Sequence, residues 1–170
     1  VKALLIRIDS PGGGVAPSQE MYEELRKTRE EGKPVIVSMG SLAASGGYYV
    51  ACGGSRLVAN RGTLTGSIGV ISEFLQFREA MDKLGIEAEM ERSGKYKSYP
   101  EVLTDTTMSP AFREAIEVLL DDLYDQMLAE AGNDRSIDIA NLRTLIDSGP
   151  FTSIQAESLR LVDGRFYSHE

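Results

Sequence analysis

Ser45 is followed by Gly46 and Gly47 and preceded by Ala43 and Ala44. A serine hydroxyl with bare backbone directly behind it suits attack on a carbonyl, because a substrate can approach glycine closely. The N–H of Gly46 is then placed to donate to the oxyanion that forms. A second glycine run, Gly12-Gly13-Gly14, follows Asp9-Ser10-Pro11 and can supply another N–H from Gly12 or Gly13. The G-x-S-x-G pattern of nucleophile elbows is absent, since Ala43 stands at its first glycine position. Ser45 therefore suits an ordinary helix N-cap as well as a nucleophile.

A serine nucleophile needs a proton acceptor. The chain has one histidine, His169, beside the C-terminus, which turns attention from imidazole to lysine, carboxylate or a terminal amine. A lysine base must be neutral, so its pKa has to fall below the ordinary value of about 10.4. Ser93-Gly94-Lys95-Tyr96-Lys97-Ser98-Tyr99-Pro100 offers two lysines among tyrosines and hydroxyls with no acid between them. By composition alone the same stretch suits a solvated basic loop. Ser67, in Thr65-Gly66-Ser67-Ile68-Gly69, offers a hydroxyl to hold a neutral amine, or is simply a turn residue.

The elements that must position these groups alternate along the chain. Strands are expected near residues 2–9, 34–39, 56–60, 67–71 and 86–91. Helices are expected near 17–31, 46–52, 73–84, 110–131, 138–147 and 153–160. Ser45 then lies between a buried strand and a helix N-terminus, where the helix dipole favours developing negative charge. Ser109-Pro110 reads as an N-cap and first helical residue. Behind it Phe112, Ile116, Leu119, Leu120, Leu123 and Met127 repeat at helical spacing, as a core-facing stripe. The alternation predicts an α/β fold in one domain over residues 1–170. The glycine loops match neither a P-loop nor a dinucleotide fingerprint.

Taken in order, Asp9-Ser10-Pro11-Gly12-Gly13-Gly14, Met39-Gly40-Ser41-Leu42-Ala43-Ala44-Ser45-Gly46-Gly47-Tyr48-Tyr49, Thr65-Gly66-Ser67-Ile68-Gly69-Val70-Ile71, Ser93-Gly94-Lys95-Tyr96-Lys97 and the Phe151-Thr152 to Val162-Asp163 stretch resemble the S49 family of serine peptidases. The resemblance implies a Clp/crotonase-like spiral of β-β-α units with C-terminal helices. It implies that Ser45 is the nucleophile, Lys97 the general base, Ser67 the residue orienting that lysine, and Gly46 with Gly12 and Gly13 the oxyanion hole. It further implies remnant signal peptides or other hydrophobic peptides as substrates. A homo-oligomeric ring is expected, with an octamer as the size considered. A membrane anchor and one or two strands are expected ahead of Val1, which puts the catalytic domain at a membrane, on its extracytoplasmic side. No metal and no cofactor is expected. Two departures stand out: Ser98 follows Lys97 where many relatives carry aspartate, and Pro150 precedes Phe151 where relatives carry a Gly-Arg-x pattern.

Composition narrows the classes. There are 170 residues, 42% of them hydrophobic, enough for a sizeable core. Eighteen basic against 26 acidic residues give a net charge of −8, which argues against a general nucleic-acid binder. A lone Cys52 in an apolar segment reads as core, with neither a disulfide framework nor a zinc site. Two rivals keep the same fold: an acyl-CoA enzyme of the crotonase type, and a non-catalytic assembly protein. The first lacks a clear acid or base near its glycine loops. The second would have lost Ser45 or both lysines.

Overall fold

The computed structural model describes residues 1–167; His169 lies outside the described residues. The chain is mixed α/β and divides into two compact units, residues 1–69 with 126–170, and Val70–Asp125.

The first unit is built on a six-stranded sheet. Its centre is β2 (Val35–Ala44), which runs parallel to β1 (Leu4–Ser10) along one edge. Along its other edge it pairs first with β3 (Arg56–Ala59) at residues 36–39 and then with β4 (Leu64–Gly66) at residues 42–44, again parallel. Two short late strands extend the sheet. β5 (Phe151–Thr152) is antiparallel to β4, and β6 (Gly164–Arg165) is parallel to β3. Val35, Val37 and Met39 are fully buried, as expected for β-branched and apolar residues at the middle of a parallel sheet.

β2 runs five residues past the expected end at 39. Its register with β1 slips between Ile8 and Ser10, from Ile8 opposite Met39 to Ser10 opposite Ala43. The Asp9 carboxylate fills the slip: it accepts the Leu42 N–H at 3.0 Å, and a Cβ built on Gly40 would lie 2.5 Å from its Oδ2. Such a bulge re-aims the strand without ending it. Thr63 and Thr65 donate to the carbonyls of Gly40 and Ala43, each at 2.6 Å, and tie the extension to β4.

Against this sheet lie α1 (Val15–Glu30), which buries Ser18, Tyr22 and Leu25, and α2 (Gly46–Cys52), whose residues 47–52 are all buried. Tyr22 and Tyr49 stack with ring centroids 4.7 Å apart. Arg29 reaches from α1 to the carbonyls of Cys52 and Gly54 at the end of α2, and pairs with Asp134 at 2.6 Å. Asp134 also accepts from Tyr22, and Glu130 accepts from Tyr49. Both carboxylates belong to α5 (Pro110–Arg135), whose last ten residues fall in this unit. Cys52 is fully buried as expected, and burial pushes its thiol up to about 12. α6 (Ile139–Ile146) and α7 (Ser153–Ser158) complete the unit; Asp138 caps α6, and Thr152 with Gln155 forms a capping box on α7.

The second unit holds α3 (Arg78–Lys83), α4 (Glu101–Thr104) and the first part of α5. Ser109 caps α5 through the Phe112 N–H at 3.2 Å. The nearly buried Glu101 accepts from the Ser109 N–H and hydroxyl and from Arg92. Phe74 meets Phe112 and Tyr99 edge-on, at 4.9 and 5.9 Å. Of the expected stripe on α5, Phe112 and Met127 are buried, whereas Leu119 is half exposed.

Several sequence expectations need correction. Residues 67–71 are not a strand: Gly66 and Ser67 both take positive φ, 92° and 47°, which ends the ladder at β4. Residues 86–91 form no strand despite their alternation, because no strand of the second unit lies among the described residues to pair with them. The helix expected over 73–84 shortens to α3. The two-residue strands β5 and β6 and the one-turn α4 carry too little pattern to be seen in advance. Among the described residues, no helix is long and apolar enough to cross a membrane.

Candidate active site

Ser45 occupies the single residue between the end of β2 and the start of α2, with φ 52° and ψ −124°. That combination is one L-residues rarely adopt, and holding a serine there costs on the order of 1–3 kcal/mol. Two backbone bonds hold it. The Ser45 N–H donates to the Gly66 carbonyl at 2.8 Å, and its carbonyl accepts from the Tyr49 N–H at 3.0 Å. The side chain makes no capping bond to α2, so the hydroxyl is not used as an N-cap. Ser45 stands at the tip of a strained strand-to-helix turn, without the glycine pattern of a nucleophile elbow.

The glycine loop ahead of α1 comes directly against this turn. Gly12 has φ 119°, and a Cβ built on it would lie 2.9 Å from the Ser45 Cβ, 3.0 Å from the Gly46 nitrogen and 3.2 Å from the Ser45 Oγ. A Cβ on Gly46 would lie 3.3 Å from the Gly13 nitrogen and 2.5 Å from the Ser18 Oγ. At Gly12 both the φ and the contact call for glycine, and at Gly46 a Cβ would displace the Ser18 hydroxyl. The structure thus brings Ser45, Gly46, Gly12 and Gly13 together.

Their backbone donors are not equivalent. The Gly12 N–H donates to the Ser10 Oγ at 3.1 Å. The N–H groups of Gly13 and Gly46 have no acceptor among the described residues. Of the two loop residues expected to offer a donor, Gly12 has its N–H engaged by Ser10 and Gly13 does not. Ser67 directly follows Gly66, the acceptor for Ser45, and is exposed. Beside the loop is a cavity of about 370 Å³, walled by Ile6, Ile8, Pro17, Met21 and Val50.

The two lysines lie in the second unit and are both exposed. Lys95 pairs with Glu114 at 2.8 Å and bonds the Tyr96 hydroxyl at 3.0 Å. The Glu114 carboxylate, then the Tyr96 hydroxyl, hold its ammonium above the usual lysine range. Lys97 makes no ion pair with an acid among the described residues; its N–H bonds the Gly94 carbonyl at 3.2 Å. The expectation that this stretch contains no acid holds for its sequence but not for its surroundings, since Glu114 arrives from α5.

Sequence reasoning passed over Ser10, Ser18 and Asp9. Ser10 bonds both polar backbone atoms of Gly12, Ser18 donates to the Gly14 carbonyl at 2.9 Å, and Asp9 stabilises the bulge that carries β2 on to Ser45. A serine two residues ahead of a glycine is a recognisable turn signal. The other two depend on contacts that only the folded chain makes.

A strained serine thus stands at a strand-to-helix turn, with the backbone nitrogens of Gly13 and Gly46 close by and a cavity beside the glycine loop. The chain belongs to peptidase family S49, whose model matches residues 27–170. It is 39% identical over 162 residues to a Synechocystis sp. protein named as an inferred protease. It is 36% identical over 164 residues to the chloroplastic serine protease SPPA of Arabidopsis thaliana, and 35% over 141 residues to protease 4 of Haemophilus influenzae. These alignments cover 95%, 95% and 83% of this chain, but 57%, 24% and 21% of the relatives. The chain thus spans little more than half of one relative and under a quarter of the other two.

Proposed function

We propose that this chain is the catalytic part of a serine endopeptidase in which Ser45 is the nucleophile and Lys97 the general base. The observation that carries the reading is the backbone of Ser45, held at φ 52° with its hydroxyl unused as a cap. Strain of this kind is retained where a position matters to chemistry.

The neutral Lys97 amine takes the Ser45 proton as Oγ bonds to the substrate carbonyl carbon. The oxyanion is met by the N–H groups of Gly13 and Gly46, and Ser67 orients the amine. The C–N bond then breaks, and the Lys97 ammonium returns its proton to the leaving amine. Water, deprotonated by the same amine, hydrolyses the Ser45 ester to a carboxylate and frees the hydroxyl. The Glu114 pairing of Lys95 supports Lys97 over Lys95, because a lysine kept charged cannot accept a proton.

The apolar cavity beside the glycine loop supports hydrophobic peptides as substrates, remnant signal peptides among them. The name of the Arabidopsis relative, a serine protease, supports the serine mechanism. The spiral β-β-α arrangement, assembly into a homo-oligomeric ring, and action at the extracytoplasmic face of a membrane belong to the same proposal.

The test is covalent labelling by an acylating or phosphonylating serine probe. The adduct is expected on Ser45, and both adduct and peptide cleavage are expected to vanish in Ser45→Ala. Peptide cleavage by Ser45→Ala at the unsubstituted rate overturns the reading.

A further inference from the structure

We propose that Ser10 is a positioning residue for the oxyanion site: its hydroxyl holds the Gly12–Gly13 peptide so that the Gly13 N–H faces the substrate. The inference rests on the reading of Ser45 as nucleophile. It assigns a role to a residue that touches neither substrate nor Ser45 in that mechanism.

The geometry is local and specific. The Ser10 hydroxyl donates to the Gly12 carbonyl at 3.2 Å and accepts the Gly12 N–H at 3.1 Å. The Gly12 carbonyl and the Gly13 N–H belong to one planar trans peptide, so they point to opposite sides. Binding the oxygen therefore directs the N–H the other way. The Gly13 nitrogen lies 3.3 Å from where a Gly46 Cβ would be, next to the second donor. The Gly13 N–H itself has no acceptor among the described residues.

A lock is needed because both flanking residues are glycine. With no Cβ on either side, the intervening peptide turns over at little steric cost. Turned over, it would present the Gly12 carbonyl to the oxyanion, where a donor is required, and attraction would become repulsion. No other side chain among the described residues bonds this peptide. Its neighbour is secured separately: the Gly14 carbonyl accepts both the Ser18 N–H at 3.2 Å and the Ser18 hydroxyl at 2.9 Å. Ser18 thus anchors the loop where it enters α1, and Ser10 holds the Gly12–Gly13 peptide.

Loss of an oxyanion donor costs about 10²- to 10³-fold in kcat. A peptide that samples both orientations loses part of that, so we expect Ser10→Ala to lower kcat roughly ten- to a hundredfold. KM should change less than about threefold, because the ground-state carbonyl leans on the donor far less than the oxyanion does. Ser10→Thr, which keeps the hydroxyl, should recover most of the rate.

The experiment compares the full chain with Ser10→Ala and Ser10→Thr in peptide cleavage and in binding of a reversible peptide aldehyde. The aldehyde's adduct with Ser45 carries its oxygen where the oxyanion would be. Aldehyde affinity is expected to fall in step with kcat/KM while KM holds. Equal kcat in Ser10→Ala and the unsubstituted chain overturns the proposal, as does a loss confined to KM. Should the alanine chain not fold, the isosteric Ser10→Cys chain carries the same comparison, with the same expected losses. Absence of any Ser45 adduct on the unsubstituted chain would instead sink the nucleophile assignment, so the two failures are distinguishable.

Discussion

The backbone N–H of Ser45 donates to the Gly66 carbonyl at 2.8 Å, so the turn that carries Ser45 is suspended from the last residue of β4. Gly66 is itself confined. Its φ is 92°, and a Cβ there would lie 2.8 Å from Cδ2 of Phe151 in β5. A chain of contacts thus runs from the late strand β5 through Gly66 to the serine.

Gly66→Ala should disturb that chain at its middle. The methyl group meets both an unfavourable φ and the Phe151 ring, at a cost of about 1–3 kcal/mol in stability. Displacement of the Gly66 carbonyl should also slow Ser45 labelling. Gly62→Ala is the control, since a Cβ there meets nothing within 4 Å. Thermal denaturation and probe-labelling rates of the two chains check the expectation, and similar values for both would refute it.

The two lysines should separate under mutation and pH. Lys97→Ala is expected to abolish peptide cleavage, whereas Lys95→Ala should retain it within about threefold, its ion pair being fully exposed. A general base acts only in its deprotonated form, so cleavage should rise with pH. Lys95, kept charged by Glu114 and Tyr96 beyond the usual lysine range, contributes nothing to that rise. The pH profile of Lys95→Ala should therefore overlay that of the unsubstituted chain. A shifted midpoint in Lys95→Ala, or surviving activity in Lys97→Ala, would reverse the assignment.

Asp163 should make stability pH-dependent on the acid side. Burial works to raise its pKa, but the Arg135 guanidinium and the Leu57 N–H, at 2.6 and 2.7 Å, together hold it below the ordinary value. The folded carboxyl therefore titrates below the unfolded one. Its stabilisation is complete above the ordinary aspartate pKa of about 3.9 and is lost as pH falls through the folded value. Asp163→Asn should cost about 1–3 kcal/mol at neutral pH, because the fully buried Leu57 N–H loses a charged acceptor. Denaturant unfolding at neutral and at strongly acid pH measures the gap between the two chains. A gap that persists unchanged in acid contradicts the linkage.

Much of the first unit was legible because its elements announce themselves locally. Val35-Ile36-Val37 reads as a buried strand, and Tyr22 and Leu25 mark the inner face of α1. Gly32, at φ 81°, lies just past that helix's end. The junction at Ser45 was legible as a strand-to-helix turn, but its φ was not, since no pattern announces a serine in a glycine conformation. The length of β2 was hidden as well. Residues 40–44 lie beyond the strand expected to end at 39, and it takes Asp9, from another strand, to close the Gly40 bulge that carries β2 through them. Lys95 and Lys97 looked alike in sequence. The partner that distinguishes them, Glu114, stands nineteen residues away from Lys95 on α5. Alternation at Ile86, Ala88 and Met90 misled, because a period of two specifies a strand only where another strand can pair with it.

The stacked rings of Tyr22 and Tyr49 give the protein a built-in optical gauge. The chain contains no tryptophan, so near-ultraviolet dichroism from this pair is free of indole signal. One ring stands on α1 and the other four residues beyond Ser45, and the signal therefore follows the seating of the helix behind the serine. Burial, and then hydrogen bonds to Asp134 and Glu130, keep both phenols protonated beyond the ordinary tyrosine range. The gauge thus stays readable at alkaline pH, where a lysine base would be most active.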